Sequence, residues 1–220
     1  PSGKNYQYHS IALNSSHGEE GVSNSLWSLK LKSSVIRAPE LMKNHRTNTL
    51  EVLIQDVENS MHLISATGKI KWSKEIEGAI IGKVKQIDVY GNNKWQMLFN
   101  TSSKIHLVDI NGNEVKGFPV ELKAPATNSV TVLDYEKNKE YRILVACSNK
   151  KIYNYNQEGK IIEGWNFNLT ESLVVNELQH FVSESKDYIL FTDISGNIYM
   201  VDRRGGKRID LTQKINTNLH

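Results

Sequence analysis

Ile105-His106-Leu107-Val108-Asp109-Ile110-Asn111-Gly112-Asn113-Glu114-Val115-Lys116-Gly117-Phe118 reads as a short apolar strand, a glycine turn and a second strand that closes on an aromatic residue. Relatives of this stretch stand upstream at Met61-His62-Leu63-Ile64-Ser65-Ala66-Thr67-Gly68-Lys69-Ile70-Lys71-Trp72 and downstream at Ile152-Tyr153-Asn154-Tyr155-Asn156-Gln157-Glu158-Gly159-Lys160 and Ile198-Tyr199-Met200-Val201-Asp202-Arg203-Arg204-Gly205-Gly206-Lys207. Taking Gly68, Gly112, Gly159 and Gly206 as the turn glycines, subtraction gives spacings of 44, 47 and 47 residues. The aromatic positions Trp27, Trp72, Phe118 and Trp165 keep the same beat, at 45, 46 and 47. Two markers sharing one period define an internal repeat.

Each copy is preceded by further strand-like runs. Thr49-Leu50-Glu51-Val52-Leu53-Ile54-Gln55 leads through a turn at 56–60 into the first copy; 80–90 and Trp95-Gln96-Met97-Leu98-Phe99 precede the second. Val130-Thr131-Val132-Leu133 and 141–146 precede the third, and Phe181-Val182 with Tyr188-Ile189-Leu190-Phe191 the fourth. Four short strands with their turns consume about 45 residues, the size of a propeller blade. A lone four-stranded sheet would leave one apolar face wet, so blades must stack, with the recurrent Trp or Phe wedged between neighbours. The turn glycine supplies the positive φ of a tight turn.

The expected fold is therefore all-β: a β-propeller of four-stranded antiparallel blades across the single domain 1–220, with units at 32–78, 79–122, 123–169 and 170–212 and a partial one at 5–31. The partial unit comprises an apolar strand at 6–13, a polar loop through 14–24 and the alternating Leu26-Trp27-Ser28-Leu29-Lys30-Leu31. Ala38-Pro39-Glu40 and the polar residues to His45 read as a connection, because proline disfavours a central strand. Four blades and a fraction either close as a five-bladed ring, with both termini sharing a blade, or form an arc of a larger propeller; the short C-terminal remainder favours the arc.

Composition narrows the partners. The 27 basic and 24 acidic residues nearly balance, at a formal net charge of +3, and the lysines are scattered, which gives no support to a nucleic-acid partner. No run approaches the roughly 20 apolar residues of a membrane-spanning helix, so the chain is not expected to be membrane-embedded. Cys147, the only cysteine, sits in Tyr141-Arg142-Ile143-Leu144-Val145-Ala146-Cys147 and reads as a small core residue. The start at Pro1 lacks an initiator Met and a signal core, as expected of a processed or excised segment. Asn-x-Ser/Thr triplets occur at Asn14, Asn100 and Asn168.

The apolar strand, Asn-Gly or Thr-Gly turn, Lys and Trp of Met61 to Trp72 and Ile105 to Gly112 resemble the repeats of pyrroloquinoline-quinone-type propellers, which occur in quinoprotein dehydrogenases and in envelope assembly lipoproteins. Gly117-Phe118-Pro119-Val120 is similar to an ending found in integrin-like bacterial surface propellers. The resemblance covers roughly 26–211 and implies the fold, with an extracytoplasmic setting (periplasmic, surface or secretory-pathway) ahead of a cytoplasmic one; localisation is otherwise unknown. It does not carry a cofactor. Quinoprotein dehydrogenases have adjacent cysteines and an acidic calcium site, whereas this chain has one Cys, and Asp109-Ile110-Asn111-Gly112-Asn113 lacks the carboxylate density a hard cation favours.

His62 and His106 fall where Tyr153 and Tyr199 stand in the later copies, which marks a structural position, and the other histidines show no ligand spacing. Asp56 with Glu58, Glu19 with Glu20, and Asp187 with Asp193 read as turn or solvated carboxylates. Asn149-Lys150-Lys151 and Arg203-Arg204-Gly205-Gly206-Lys207 read as hairpin tips, the latter ahead of a phosphate cradle. No catalytic, cofactor-binding or metal-ligating residue is assigned and no cofactor is expected. The expected function is a non-catalytic binding or scaffold module for protein partners, with a glycan as the second ligand class. The alternative is the propeller part of a quinoprotein-like or hydrolytic enzyme completed outside this segment.

Overall fold

Strand pairing follows the repeat. In the computed structural model, which describes residues 26–209, fourteen strands form four antiparallel sheets in chain order. The first sheet is β1 (Glu40–Lys43), β2 (Leu50–Gln55), β3 (Ser60–Ile64) and β4 (Ile70–Glu75); the second is β5 (Ile81–Ile87), β6 (Gln96–Asn100), β7 (Lys104–Val108) and β8 (Val120–Glu121). The third holds β9 (Thr131–Leu133), β10 (Arg142–Ala146) and β11 (Ile152–Asn156), and the fourth β12 (Gln179–Ser183), β13 (Lys186–Thr192) and β14 (Ile198–Val201).

Three expectations need correction. Residues after Pro39 form β1 and not a connection; β1 lies at the sheet edge with Pro39 just outside it, where a missing N–H breaks no ladder. Leu26 to Leu31 is extended but joins no sheet among the described residues, although its alternation is real in burial: Trp27, Leu29 and Leu31 turn inward. In the third and fourth sheets the fourth strand shrinks to one bridge each, Tyr155 with Ile161 and Val201 with Lys207. The expected strand at 6–13 and the pair Glu19–Glu20 lie outside the described residues.

Alternation within each strand divides the side chains between two interfaces, and this builds the stack. Register places Leu53, Met61 and Leu63 on one face of the first sheet, where they meet Met97, Phe99 and Val108 of the second. The opposite face of the second sheet, with Leu98, Ile105 and Leu107, packs on Ile143, Val145 and Tyr155 of the third. Leu144, Ala146 and Ile152 of the third sheet then meet Ile189, Phe191 and Val201 of the fourth. We call the face turned to the next sheet leading and the other trailing. The central strand β6 is buried at every position because both its faces are covered.

Polar side chains staple the crossings. Gln55, at the end of β2, donates from Nε2 to the Gly78 carbonyl and accepts the Ile80 N–H. Asn100, at the end of β6, repeats this on the next crossing, donating to the Asn128 carbonyl at 3.1 Å and accepting the Val130 N–H at 2.8 Å. Both side chains are fully buried, so their partners are the backbone groups that would otherwise go unpaired. Asn100 is thereby enclosed within the folded chain, whereas Asn168 is exposed.

Candidate functional site

The repeat aromatics and glycines meet at the turns between sheets. Trp72 on β4 reaches the turn of the next sheet, its indole N–H donating to the Ile110 carbonyl at 3.0 Å. Trp27 treats the first sheet in the same way, donating to the Ala66 carbonyl at 3.0 Å. Gly68 and Gly112, with φ of 78° and 84°, present a bare backbone to these rings: an added Cβ would stand 2.7 Å from Trp27 and 2.9 Å from Trp72. Glycine is required there twice, for its conformation and for the close approach.

The later copies depart from this arrangement. Phe118 is buried in the core between the second and third sheets, and the Gly159 turn abuts Val120 and the Gly117 carbonyl. Trp165 bonds to the Ile152 carbonyl of its own repeat at 2.8 Å, and the fourth turn is approached by Phe167 in its place. The left-handed glycine of that turn is Gly205, at φ 78°, and Gly206 follows it as the residue whose carbonyl accepts the Asp202 N–H. With Gly205, each turn glycine lies six residues beyond His62, His106, Tyr153 or Tyr199, which removes a one-residue slip from the assignment.

Those four side chains are all engaged within the fold. His62 sits between Ser73 and Asp56, and His106 stacks on Phe99 and bonds to Glu114 at 3.1 Å. Tyr153 accepts from Asn149, while Tyr199 donates to Asp193 at 2.9 Å. Cys147 is buried, and burial pushes its thiol up to about 11, far from a reactive thiolate. Asp187 and Asp193 are not a pair: Asp193 organises the β13–β14 turn through Ser195 and Asn197, and Asp187 bonds to His180 and Arg203.

Asp187 belongs to a cluster that the sequence did not reveal. Arg203 bridges Asp187 and Glu136 while its guanidinium lies over the Tyr135 ring, 4.6 Å from the centroid. Tyr135 meets His180 edge-on at 5.2 Å, and His180 Nε2 is 2.6 Å from Asp187. Burial pushes the Asp187 carboxyl up, yet the hydrogen bonds and charges of His180 and Arg203 outweigh it and hold the group below the ordinary carboxylate range. The Tyr135 phenol moves the other way, raised by burial first and then by the Asp187 charge.

Beside this cluster lies a cavity of about 470 Å³, within the roughly 300–1,000 Å³ of ligand pockets. The β9–β10 loop supplies Tyr135, Glu136 and Glu140, the stretch after the third sheet supplies Glu163 and Trp165, and the fourth turn supplies Arg203 and Arg204, with Arg142 between them. Arg204 is exposed, and its side chain has no charge partner among the described residues. Of these residues the sequence singles out Trp165, as a repeat aromatic, and Arg203 and Arg204, as a hairpin tip, which they do form. Tyr135, Glu136 and Glu140 gave no signal beyond a charged loop, since Glu136 meets Arg203 across 67 residues of chain.

A second cavity of about 580 Å³ lies between the first edge strands of sheets one and two. Its Arg37 and Glu40 side chains are occupied: Arg37 bonds to Glu40 and the Gly82 carbonyl, and Glu40 accepts the Val84 N–H at 3.0 Å. The first cavity therefore offers more unsatisfied chemistry to a partner.

No protein-family profile matches the chain, and none of the curated proteins does. Solved structures do match. BBS1N in complex with ARL6DN gives a TM-score of 0.57 at 11% identity in its lead-soaked crystal, over 83% of this chain and 56% of that one. The mercury-soaked crystal gives 0.55 at 14% identity, over 72% and 48%. BamB from Moraxella catarrhalis gives 0.55 at 15% identity, covering 83% of this chain and 49% of that one. The chain thus spans about half the length of the structures it matches, and with them it shares the sheet-on-sheet fold of β-propellers.

Proposed function

We propose that this chain is a non-catalytic β-propeller module that binds a protein partner through the end carrying the β9–β10 loop and the fourth glycine turn. The observation that carries this reading is the 470 Å³ cavity, where Arg142, Arg203 and Arg204 face Glu136, Glu140 and Glu163 around Tyr135 and Trp165. Arginine and large aromatic side chains are enriched at interface hot spots, and mixed charge selects a partner segment bearing both signs. BBS1N is crystallised with ARL6DN, which supports protein recognition on this fold without transferring that partner.

The test uses the immobilised chain in extracts of its source, compared with a Trp165→Ala/Arg204→Glu variant, alongside a panel of neutral oligosaccharides. A protein retained by the wild type and lost by a variant of unchanged melting temperature supports the reading. Equal retention by both, or binding of oligosaccharides alone, overturns it.

A further inference from the structure

His62 and Ser73 are paired across β3 and β4 and turn to the trailing face of the first sheet, opposite Met61 and Leu63. There Ser73 Oγ lies 2.7 Å from His62 Nδ1, and His62 Nε2 lies 3.0 Å from Asp56 Oδ2. The carboxylate fixes where the protons are. Burial pushes the Asp56 carboxyl up, yet the bonds from His62 and from the Ser60 and Glu58 amides outweigh it and hold the group below the ordinary carboxylate range. An ionised carboxylate only accepts, so Nε2 carries the imidazole proton, and Nδ1 is a bare lone pair that accepts from the Ser73 hydroxyl. Asp56 is itself held: its Oδ1 accepts the Glu58 and Ser60 N–H groups at 3.0 and 2.8 Å, which leaves Oδ2 for the histidine.

A hydroxyl, a base and a group that orients the base, all within hydrogen-bond reach, make an activated nucleophile. Shelter follows the roles: the His62 and Asp56 side chains are 12% and 6% exposed, whereas Ser73 is exposed. The fourth sheet supplies the contrast. Tyr199 donates to Asp193 at 2.9 Å, with the same six-residue separation as His62 and Asp56, but a phenol gives that bond its only proton and has no second nitrogen to act as a base. The bond to the carboxylate is thus a device of the repeat, and Ser73 is what the first sheet adds to it. Ser73 follows the aromatic Trp72, where the later copies have Pro119 and Asn166. Ser28, which follows Trp27, is exposed and bonds to no imidazole among the described residues.

We propose that Ser73 is a nucleophile that captures small acyl groups from activated esters, with His62 as its base and Asp56 as the positioning residue. As the bond from Ser73 Oγ to the acyl carbon forms, the hydroxyl proton passes to His62 Nδ1; the ester C–O bond then breaks and the leaving oxygen takes that proton. The products are one O-acyl serine per chain and one alcohol or phenol. Ser73 lines neither cavity, so this capture is separate from partner binding at the fourth turn. The test incubates the full chain with p-nitrophenyl acetate near neutral pH, quenches with acid and reads the peptides by mass spectrometry. One acetyl group should appear on Ser73 in step with p-nitrophenol release, ahead of any on Ser28. His62→Tyr keeps the carboxylate bond on the pattern of Tyr199 and removes the base, so it should slow Ser73 acetylation by at least about a hundredfold at unchanged melting temperature. If that variant loses its melting transition, His62→Gln is read in its place. Acetyl groups confined to lysines, labelling of Ser28 as fast as Ser73, or an undiminished rate without His62 each overturns the proposal.

Discussion

Gly112 and Gly164 separate two costs that are usually merged. Both have positive φ, 84° and 82°, but an added Cβ at Gly112 meets the Trp72 ring while at Gly164 nothing lies within 4 Å. Gly164→Ala should therefore lose only the left-handed backbone cost, about 1–2 kcal/mol, and Gly112→Ala should lose that and the docking of Trp72, about 2–4 kcal/mol in total. Urea unfolding of both variants checks the order; equal losses would mean that the turn and the ring are not coupled. Asn100→Ala leaves the Val130 N–H and the Asn128 carbonyl without their buried partner, at about 1–3 kcal/mol by the same measurement. Asp187 makes a pH prediction. Its folded carboxyl lies below the unfolded value, so its contribution is complete above that value, about 3.9, and is lost as pH falls through the lower folded one. Melting temperature should thus drop more steeply on acidification below about pH 4 for the wild type than for Asp187→Asn.

At the scale of elements, a strand's worth depends on what covers its two faces. The outermost strand of the first sheet, β4, is exposed at four of its six positions, and Trp72 is its hold on the second sheet through the Ile110 carbonyl. Trp72→Phe keeps most of the packing and removes the N–H, for about 1 kcal/mol. Hydrogen exchange should then speed up in the 109–113 turn and leave the third and fourth sheets unchanged. Trp165→Phe gives the reverse contrast, because its bond to the Ile152 carbonyl lies within one repeat and ties no sheet to the next. Much of this was readable from the sequence: the strand runs before each repeat, the glycine turns and the Cys147 core position all follow from short-range pattern. The edge strand β1 and the loss of the outermost strands in sheets three and four were not, since an edge position and a single bridge leave no periodicity to read.

Across the whole molecule, each apolar cluster joins only adjacent sheets, so stability is close to a sum of sheets and junctions. Polar ties at the loop end follow the same order: Arg46 to Asn111, Lys139 to Asp88 and Arg203 to Glu136. One contact skips a sheet, Lys85 to Glu177 at 2.5 Å, joining the second sheet to the segment ahead of the fourth. Exposure of β12, against complete burial of β6, predicts a graded opening. Amide exchange should be slowest in β6, β7 and β10 and fastest in β12, with intermediate rates in β13; uniform protection across the four sheets would contradict the additive picture.

The amino-acid sequence alone determined the repeat, its period, the all-β class and three of the four turn glycines, Gly68, Gly112 and Gly159, because period-2 alternation and positive φ are properties of a few consecutive residues. It also marked His62, His106, Tyr153 and Tyr199 as one structural position, by comparison among the copies. The tertiary structure moved the fourth turn residue from Gly206 to Gly205, through the Asp202 N–H that bonds to the Gly206 carbonyl, and the six-residue spacing from Tyr199 carries the same answer in the sequence. It alone brought Tyr135, Glu136, His180, Asp187 and Arg203 together, since a cluster drawn from two strands and two turns or loops is made by sheet stacking and leaves no local trace.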